Sequence, residues 1–279
     1  MANVLIAGCG YVGEALGEQL IAQNHRVWGL RRTLPFDTRG ISYFSADLTK
    51  LDTLSPFPAS FDYVVYACAA KNSSEEAYRD AYVTGLWNLL TALEQEQQQI
   101  KRLVYVSSTG VYHQNDGEWV DETSPARTDR PTGKILLEAE QVLAMSVVPS
   151  TVVRFSGIYG PGRTRMIDMV ASGEARLHEG ASRVLNHIHV EDCAGILRHI
   201  LRLDAPADLY LGTDSEPVDR NEALRWIADQ LRVPAPPTEP AENAPTSRGG
   251  NRRYSNKRIL ESGYKFRYPT YREGYSSLM

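Results

Sequence analysis

A short apolar run, Val4-Leu5-Ile6-Ala7, passes directly into Gly8-Cys9-Gly10-Tyr11-Val12-Gly13, and a stretch with Ala15, Leu16, Leu20 and Ile21 at helical spacing follows. Glycine-x-glycine-x-x-glycine is a weak pattern alone, but between a buried strand and a helix start it has a physical use. The first glycine permits a tight turn, the second lets backbone amides approach a pyrophosphate, and the third lets the helix pack close to the strand. The phosphate charge then lies at the helix N-terminus. The pattern predicts a dinucleotide cradle at Gly8, Gly10, Tyr11, Val12 and Gly13.

Strand-like runs recur at Val4 to Ala7, Arg26 to Leu30, Ile41 to Phe44, Tyr63 to Ala67, Arg102 to Ser107 and Ser150 to Phe155, with helix-like runs between most of them. This alternation predicts parallel strands with helical crossovers. Tyr78, Tyr82, Leu86, Leu89, Leu90 and Leu93 give one buried helical face between Ser74 and Glu96. A second helix is expected from Gly133 to Met145, and Asp219 with Glu222 has the spacing of a helix cap. The prolines from Pro234 to Pro245 read as a surface excursion.

The 279 residues are 42% hydrophobic, ample for a core, and the net charge of -4 offers no general attraction to nucleic acid or acidic membrane. Arg248, Arg252, Arg253, Lys257 and Arg258 form one short basic stretch, read as a solvated loop before any phosphate contact or nucleic-acid surface. No apolar run is long enough to span a bilayer, and Met1-Ala2-Asn3 lacks the basic start of a signal peptide, so a cytoplasmic protein without a membrane partner is expected. Cys9, Cys68 and Cys193 are expected as reduced thiols, and no metal is expected.

Further segments follow in order: Ala46-Asp47-Leu48-Thr49, Ala69-Ala70, Val106 to Tyr112 with Ser108, Arg154 to Gly162 (RFSGIYGPG), and His189-Val190-Glu191-Asp192. Together they resemble the extended short-chain dehydrogenase/reductase superfamily of NAD(P)-dependent epimerase/dehydratase type. The resemblance implies an α/β fold: a Rossmann-type doubly wound, mostly parallel sheet with a small C-terminal substrate lobe. Residues 1–155 would form the NAD(P)-binding domain, and 156–279 the substrate lobe with segments returning to the sheet. It also implies adenine contacts at Asp47 and Leu48, a wall beside the nicotinamide ribose at Ala69 and Ala70, and a hydroxyl at Ser108 that bonds the reacting oxygen.

Members of that superfamily use a Tyr and a Lys four residues later for proton transfer. In the matching segment, Thr132 to Gln141, the Tyr position holds Thr132 and the Lys position Leu136. The resemblance is therefore to an atypical member that keeps the cradle and lacks the acid/base pair. Other groups could supply a proton or hold substrate: Tyr112 and His189 for catalysis, Lys71, Tyr159 and Arg163 on the substrate side. Each also has an ordinary structural use.

Two functions remain open at this stage. One is an NAD(P)-dependent oxidoreductase or epimerase acting on a small polar molecule such as a sugar or nucleotide sugar, with non-standard proton transfer. The other is a catalytically silent NAD(P)-binding sensor. Arg31 and Arg32 end the second strand where an acidic residue would favour NAD, so NADP(H) is expected ahead of NAD(H). A homodimer is expected, on the argument that Tyr82, Leu86, Leu89 and Leu136 would otherwise be exposed.

Overall fold

The computed structural model describes residues 1–180, 183–240, 242 and 250–279. Seven parallel strands form one sheet: β1 (Asn3–Ala7), β2 (Arg26–Arg31), β3 (Ser42–Ser45), β4 (Tyr63–Tyr66), β5 (Arg102–Ser108), β6 (Ser150–Phe155) and β7 (Leu209–Gly212). Their order is β7-β6-β5-β4-β1-β2-β3. The order reverses beside β1, so the loop after β1 opens at the crevice where such sheets bind ligands.

The alternation of side chains explains why the strands read as continuous apolar runs. Val4 and Ile6 of β1 join Val65, Val104 and Val153 on one face. There they meet α1 (Tyr11–Ile21) through Leu16 and Leu20. Leu5 and Ala7 point to the other face with Val64, Tyr66, Leu103 and Tyr105. A sheet covered on both faces needs apolar residues at odd and even positions alike.

The second face is covered by two helices. The segments Glu75–Tyr78, Arg79–Thr84 and Gly85–Gln95 run on as one helix, α2, whose middle turn has π geometry. The Tyr66 hydroxyl donates to Ala81 O in that turn at 2.5 Å. Beside it lies α3 (Pro131–Ala144). Leu86, Leu89 and Leu136 are buried within the single chain and Tyr82 is half-buried, so the three leucines supply no exposed apolar patch to the argument for a dimer. Trp87 is the large apolar residue of α2 that stays exposed.

The strand β7 was not anticipated. It is short, lies after the alternation has lost its regularity, and pairs with β6 through Leu209 to Gly212. The basic stretch is also not a simple solvated loop. Arg252 is buried and donates to Tyr112 O, while Arg253 and Tyr254 pair with Trp119 and Val120. Arg248 and Pro245 lie outside the described residues. Among the described residues no helix is long and apolar enough to cross a membrane.

The helix α4 (Val190–Arg202) packs on the same face as α1 and ties the C-terminal segment to the sheet. Its fully buried Asp192 accepts bonds from the Tyr264 hydroxyl (2.7 Å), Arg267 N (2.8 Å) and Tyr268 N (2.9 Å). Burial pushes this carboxyl upward against the pull of those donors. Removing it would leave the buried Tyr264 hydroxyl and two part-buried amides without their carboxylate acceptor, each costing about 1–3 kcal/mol. Asp192→Ala should therefore lower the unfolding free energy by about 3 kcal/mol or more in denaturant titration, and a loss below about 1 kcal/mol would refute this role.

Candidate active site

The glycine loop is shaped by steric demand at two of its three glycines. Gly8 has φ of +78°, and a Cβ there would lie 2.5 Å from Cys68 Sγ. At Gly13 a Cβ would lie 2.9 Å from Ile6 Cγ2, so α1 could not pack this closely on β1. Gly10 differs: a Cβ would meet only Gly8 O, at 4.0 Å. Among the described residues no neighbour demands glycine there, whereas a molecule lying against the loop would. The helix ladder begins with Glu14 N donating to Gly10 O at 2.7 Å. The amides of Tyr11, Val12 and Gly13 precede it and have no helical acceptor. These features fit the diphosphate of a dinucleotide.

Arg31, at the end of β2, donates to Glu14 in the first turn of α1 at 2.8 Å. Arg32 is exposed and contributes positive charge at Asp47. The Asp47 carboxylate accepts from Thr49 N (3.0 Å) and Thr49 Oγ1 (2.8 Å), a tight local turn. Burial acts to raise this carboxyl, but the two Thr49 bonds and the nearby cations hold it below its ordinary value. Leu48 is buried, and its carbonyl accepts from Asn88. Ala69 and Lys71 are exposed and Ala70 is half-buried, just beyond β4.

Ser108 ends β5. Its half-buried Oγ accepts from Gly110 N at 3.1 Å, which leaves its own proton to donate. A Cβ at Gly133 would lie 2.9 Å from Gly110 O, so this glycine brings the start of α3, with half-buried Thr132, against the Ser108 turn. Leu136 packs with Val111, Tyr112, Val120 and Tyr254 in an apolar cluster. Leu136 is thus part of the core.

Tyr112 is buried, and its hydroxyl accepts from Arg154 Nη1 (2.8 Å) and donates to Asp121 O (3.2 Å). Burial raises this phenol and Arg154 opposes the rise. Arg154 in turn holds Glu140 through two bonds, of 3.0 and 2.5 Å, and Glu140 also accepts from Ser107 at 2.6 Å. Sequence reasoning gave Arg154 only as the start of the RFSGIYGPG segment and Glu140 only within the Thr132 to Gln141 match. Their signal was a lone Arg inside the apolar strand Thr151-Val152-Val153-Arg154-Phe155, because charged residues are rarely buried unless paired.

Tyr159 is buried in the lobe, stacked on Tyr275 at 4.4 Å, with its hydroxyl against Gly274. His189 caps α4, its Nδ1 accepting from Glu191 N at 3.2 Å. Its ring contacts Tyr268 at 4.2 Å and Tyr159 at 5.3 Å. The Arg163 guanidinium lies over the Tyr11 ring at 4.1 Å, beside the glycine loop. Burial pushes the Cys9 thiol up to about 11, so it is not a thiolate at neutral pH. A cavity of about 380 Å³ lined by Val4, His25, Arg198 and Arg202 lies at the opposite edge of the sheet, where the strands begin, and takes no part in this site.

With this geometry in place, comparison with known proteins is informative. The profile of the NAD dependent epimerase/dehydratase family matches residues 4–212. The chain belongs to this family. A solved Methylobacillus flagellatus protein, provisionally described as an NAD-dependent epimerase/dehydratase, is 38% identical with a TM-score of 0.83, over 99% of this chain and 97% of that one. The 3-diazoavenalumate denitrifying reductase of a Streptomyces species is 30% identical over 56% of this chain and 57% of its own length. The 2-alkyl-3-oxoalkanoate reductase of Stenotrophomonas maltophilia is 24% identical over 84% and 77%. The chain therefore spans little more than half of the first of these reductases. More distant structures in complex with NAD, at 21% and 19% identity, share its fold with TM-scores of 0.77 and 0.80.

The buried histidines give the family fold a pH dependence here. Burial lowers His187 and His189 to about 4, with Arg267 adding to the effect at His189. The unfolded chain protonates them near 6.5. Between these values the unfolded state binds more protons, so their contribution is full above about pH 6.5 and is lost as pH falls toward 4. Asp214, raised by burial, acts in the opposite sense. His189→Asn, which keeps a capping acceptor, should therefore lessen the loss of stability between pH 7 and 4.5 by up to about 1.4 kcal/mol per pH unit. Identical slopes for the variant and the parent would refute it.

Proposed function

We propose that this chain is an NADP(H)-preferring oxidoreductase acting at a carbonyl or alcohol carbon of a small polar molecule, without the Tyr and Lys used by typical members. Family membership supports the NAD-dependent redox or epimerase class. The observation that carries the reading is Gly10, where an added Cβ would meet nothing nearer than Gly8 O at 4.0 Å, at the start of α1 and on the same C-terminal edge of the sheet as Ser108. The substrate in this reading is a sugar, a nucleotide sugar or another small polar molecule, and the named activity of the 2-alkyl-3-oxoalkanoate reductase relative favours a carbonyl group as the reacting centre.

When bound, the nicotinamide supplies or accepts the hydride. Gly8, Gly10, Tyr11, Val12 and Gly13 would hold the diphosphate, Asp47 and Leu48 the adenine, and Ala69 and Ala70 the nicotinamide ribose. Ser108 donates its hydroxyl hydrogen to the reacting oxygen, and Thr132 offers a second hydroxyl on the adjoining helix. Neither aliphatic hydroxyl ionises near neutral pH, so each orients the oxygen and passes a proton drawn from water or from the exposed Lys71. Tyr112 serves in this reading as a positioning group, its phenol fixed by Arg154 below the Ser108 turn.

Ser108→Ala should lower kcat/KM for NADPH-dependent reduction of an active carbonyl by about 10²-fold, with dinucleotide affinity unchanged in calorimetry. An undiminished rate would remove Ser108 from the chemistry. The sensor reading is favoured by one observation, the burial of Leu136 in the core. Tight dinucleotide binding with no turnover across a broad carbonyl and alcohol panel would establish it instead.

Cofactor choice rests on Arg31, which Glu14 holds at 2.8 Å. A 2'-phosphate must compete with that carboxylate. Arg31→Ala should weaken NADPH about tenfold and leave NADH nearly unchanged, whereas Glu14→Gln should tighten NADPH. An equal loss for both dinucleotides would refute 2'-phosphate recognition by Arg31.

A further inference from the structure

A dinucleotide diphosphate brings two negative charges to a helix end that offers only about half a positive charge. Residues 8–13 contain no Lys or Arg, and the first turn of α1 adds the acidic Glu14. Arg31 is held by that same Glu14. A counter-cation has to come from another part of the fold.

Arg163 lies in the right place. Its guanidinium stacks at 4.1 Å over the ring of Tyr11, the first residue of α1. It is carried there by a four-residue turn in which Arg163 N donates to Gly160 O at 2.8 Å, with Gly160 and Gly162 at φ of +146° and +75°. A Cβ at Gly160 would come 2.7 Å from Val190 Cγ1 and 2.8 Å from Tyr11 Oη. The turn is thus seated directly against the glycine-loop helix, and only glycine permits it. Among the described residues no carboxylate lies within ion-pair distance of Arg163. A guanidinium carbon held over a ring uses the ring face and commits none of its N–H donors to a carboxylate, and those donors suit the paired oxygens of a phosphate.

We propose that Arg163 reaches across from the substrate-side lobe as the counter-cation of a diphosphate seated on the glycine loop. The turn from Gly160 to Arg163 then belongs to the cofactor site, and cofactor binding secures the lobe against α1. The inference rests on the dinucleotide reading above. A nucleotide sugar also carries a diphosphate, so the test separates the two sources.

The wild-type protein, Arg163→Gln and Arg163→Lys are titrated by calorimetry with ADP-ribose, with NADPH, and with UDP-glucose in the presence of NADPH. Arg163→Gln should weaken ADP-ribose and NADPH alike by about 10- to 100-fold, with Arg163→Lys between it and wild type. The gap should narrow at high salt. Arg163 is exposed, and thermal unfolding of the free variants should match wild type. Unchanged ADP-ribose affinity in Arg163→Gln overturns the proposal, as does a loss confined to UDP-glucose, while the dinucleotide reading stands in both cases. Failure of the wild type to bind ADP-ribose or NADPH removes the dinucleotide reading and this inference together.

Discussion

Everything in this fold depends on β1 being buried on both faces. Val4 and Ile6 are enclosed by α1 and α4, and Leu5 and Ala7 by the layer formed by α2 and α3. Such a strand can expose backbone polar groups only at its ends, and the C-terminal end lies where the strand order reverses. The glycine loop is where the covered sheet first opens. Close approach of Gly8 to Cys68 and of Gly13 to Ile6 sets the position of α1, and with it the direction of its free amides.

The second organising contact is the buried pair of Arg154 and Glu140. It links β6 to α3 and reaches Ser107 on one side and Tyr112 on the other. Breaking a buried pair by removing one partner costs about 3–5 kcal/mol, because the remaining charge loses its compensation. The pair therefore fixes how α3 lies against the Ser108 turn. On the same helix Leu136 packs into the core with Tyr112 and Tyr254.

The lobe is attached through the segment His187 to Asp192. His189 caps α4, Asp192 receives the backbone of Arg267 and Tyr268, and the ring of His189 meets Tyr159 and Tyr268. Tyr159 is thereby held against the same helix that packs on α1, and the Gly160 to Arg163 turn that follows it meets Tyr11.

Local pattern fixed much of the architecture. The six strands from Val4 to Phe155 match the structure to within a residue or so, because buried parallel strands are continuous apolar runs bounded by turn residues. The glycine loop was legible as a pattern between an apolar strand and a helix start, although part of its steric demand comes from Cys68, far away in the chain. The strand Leu209–Gly212 was not legible, since a four-residue segment has too little pattern to stand out and acquires its identity by pairing with β6. Nor could sequence spacing show that Arg31 meets Glu14, that Arg154 joins Tyr112 to Glu140, or that Arg163 covers Tyr11. By itself the sequence determined the first six strands, the helices between them and the pattern of strand, glycine loop and helix at the N-terminus. Tertiary structure alone decided which charges are paired and which hydroxyls remain available, because those are properties of contacts between residues far apart in the chain.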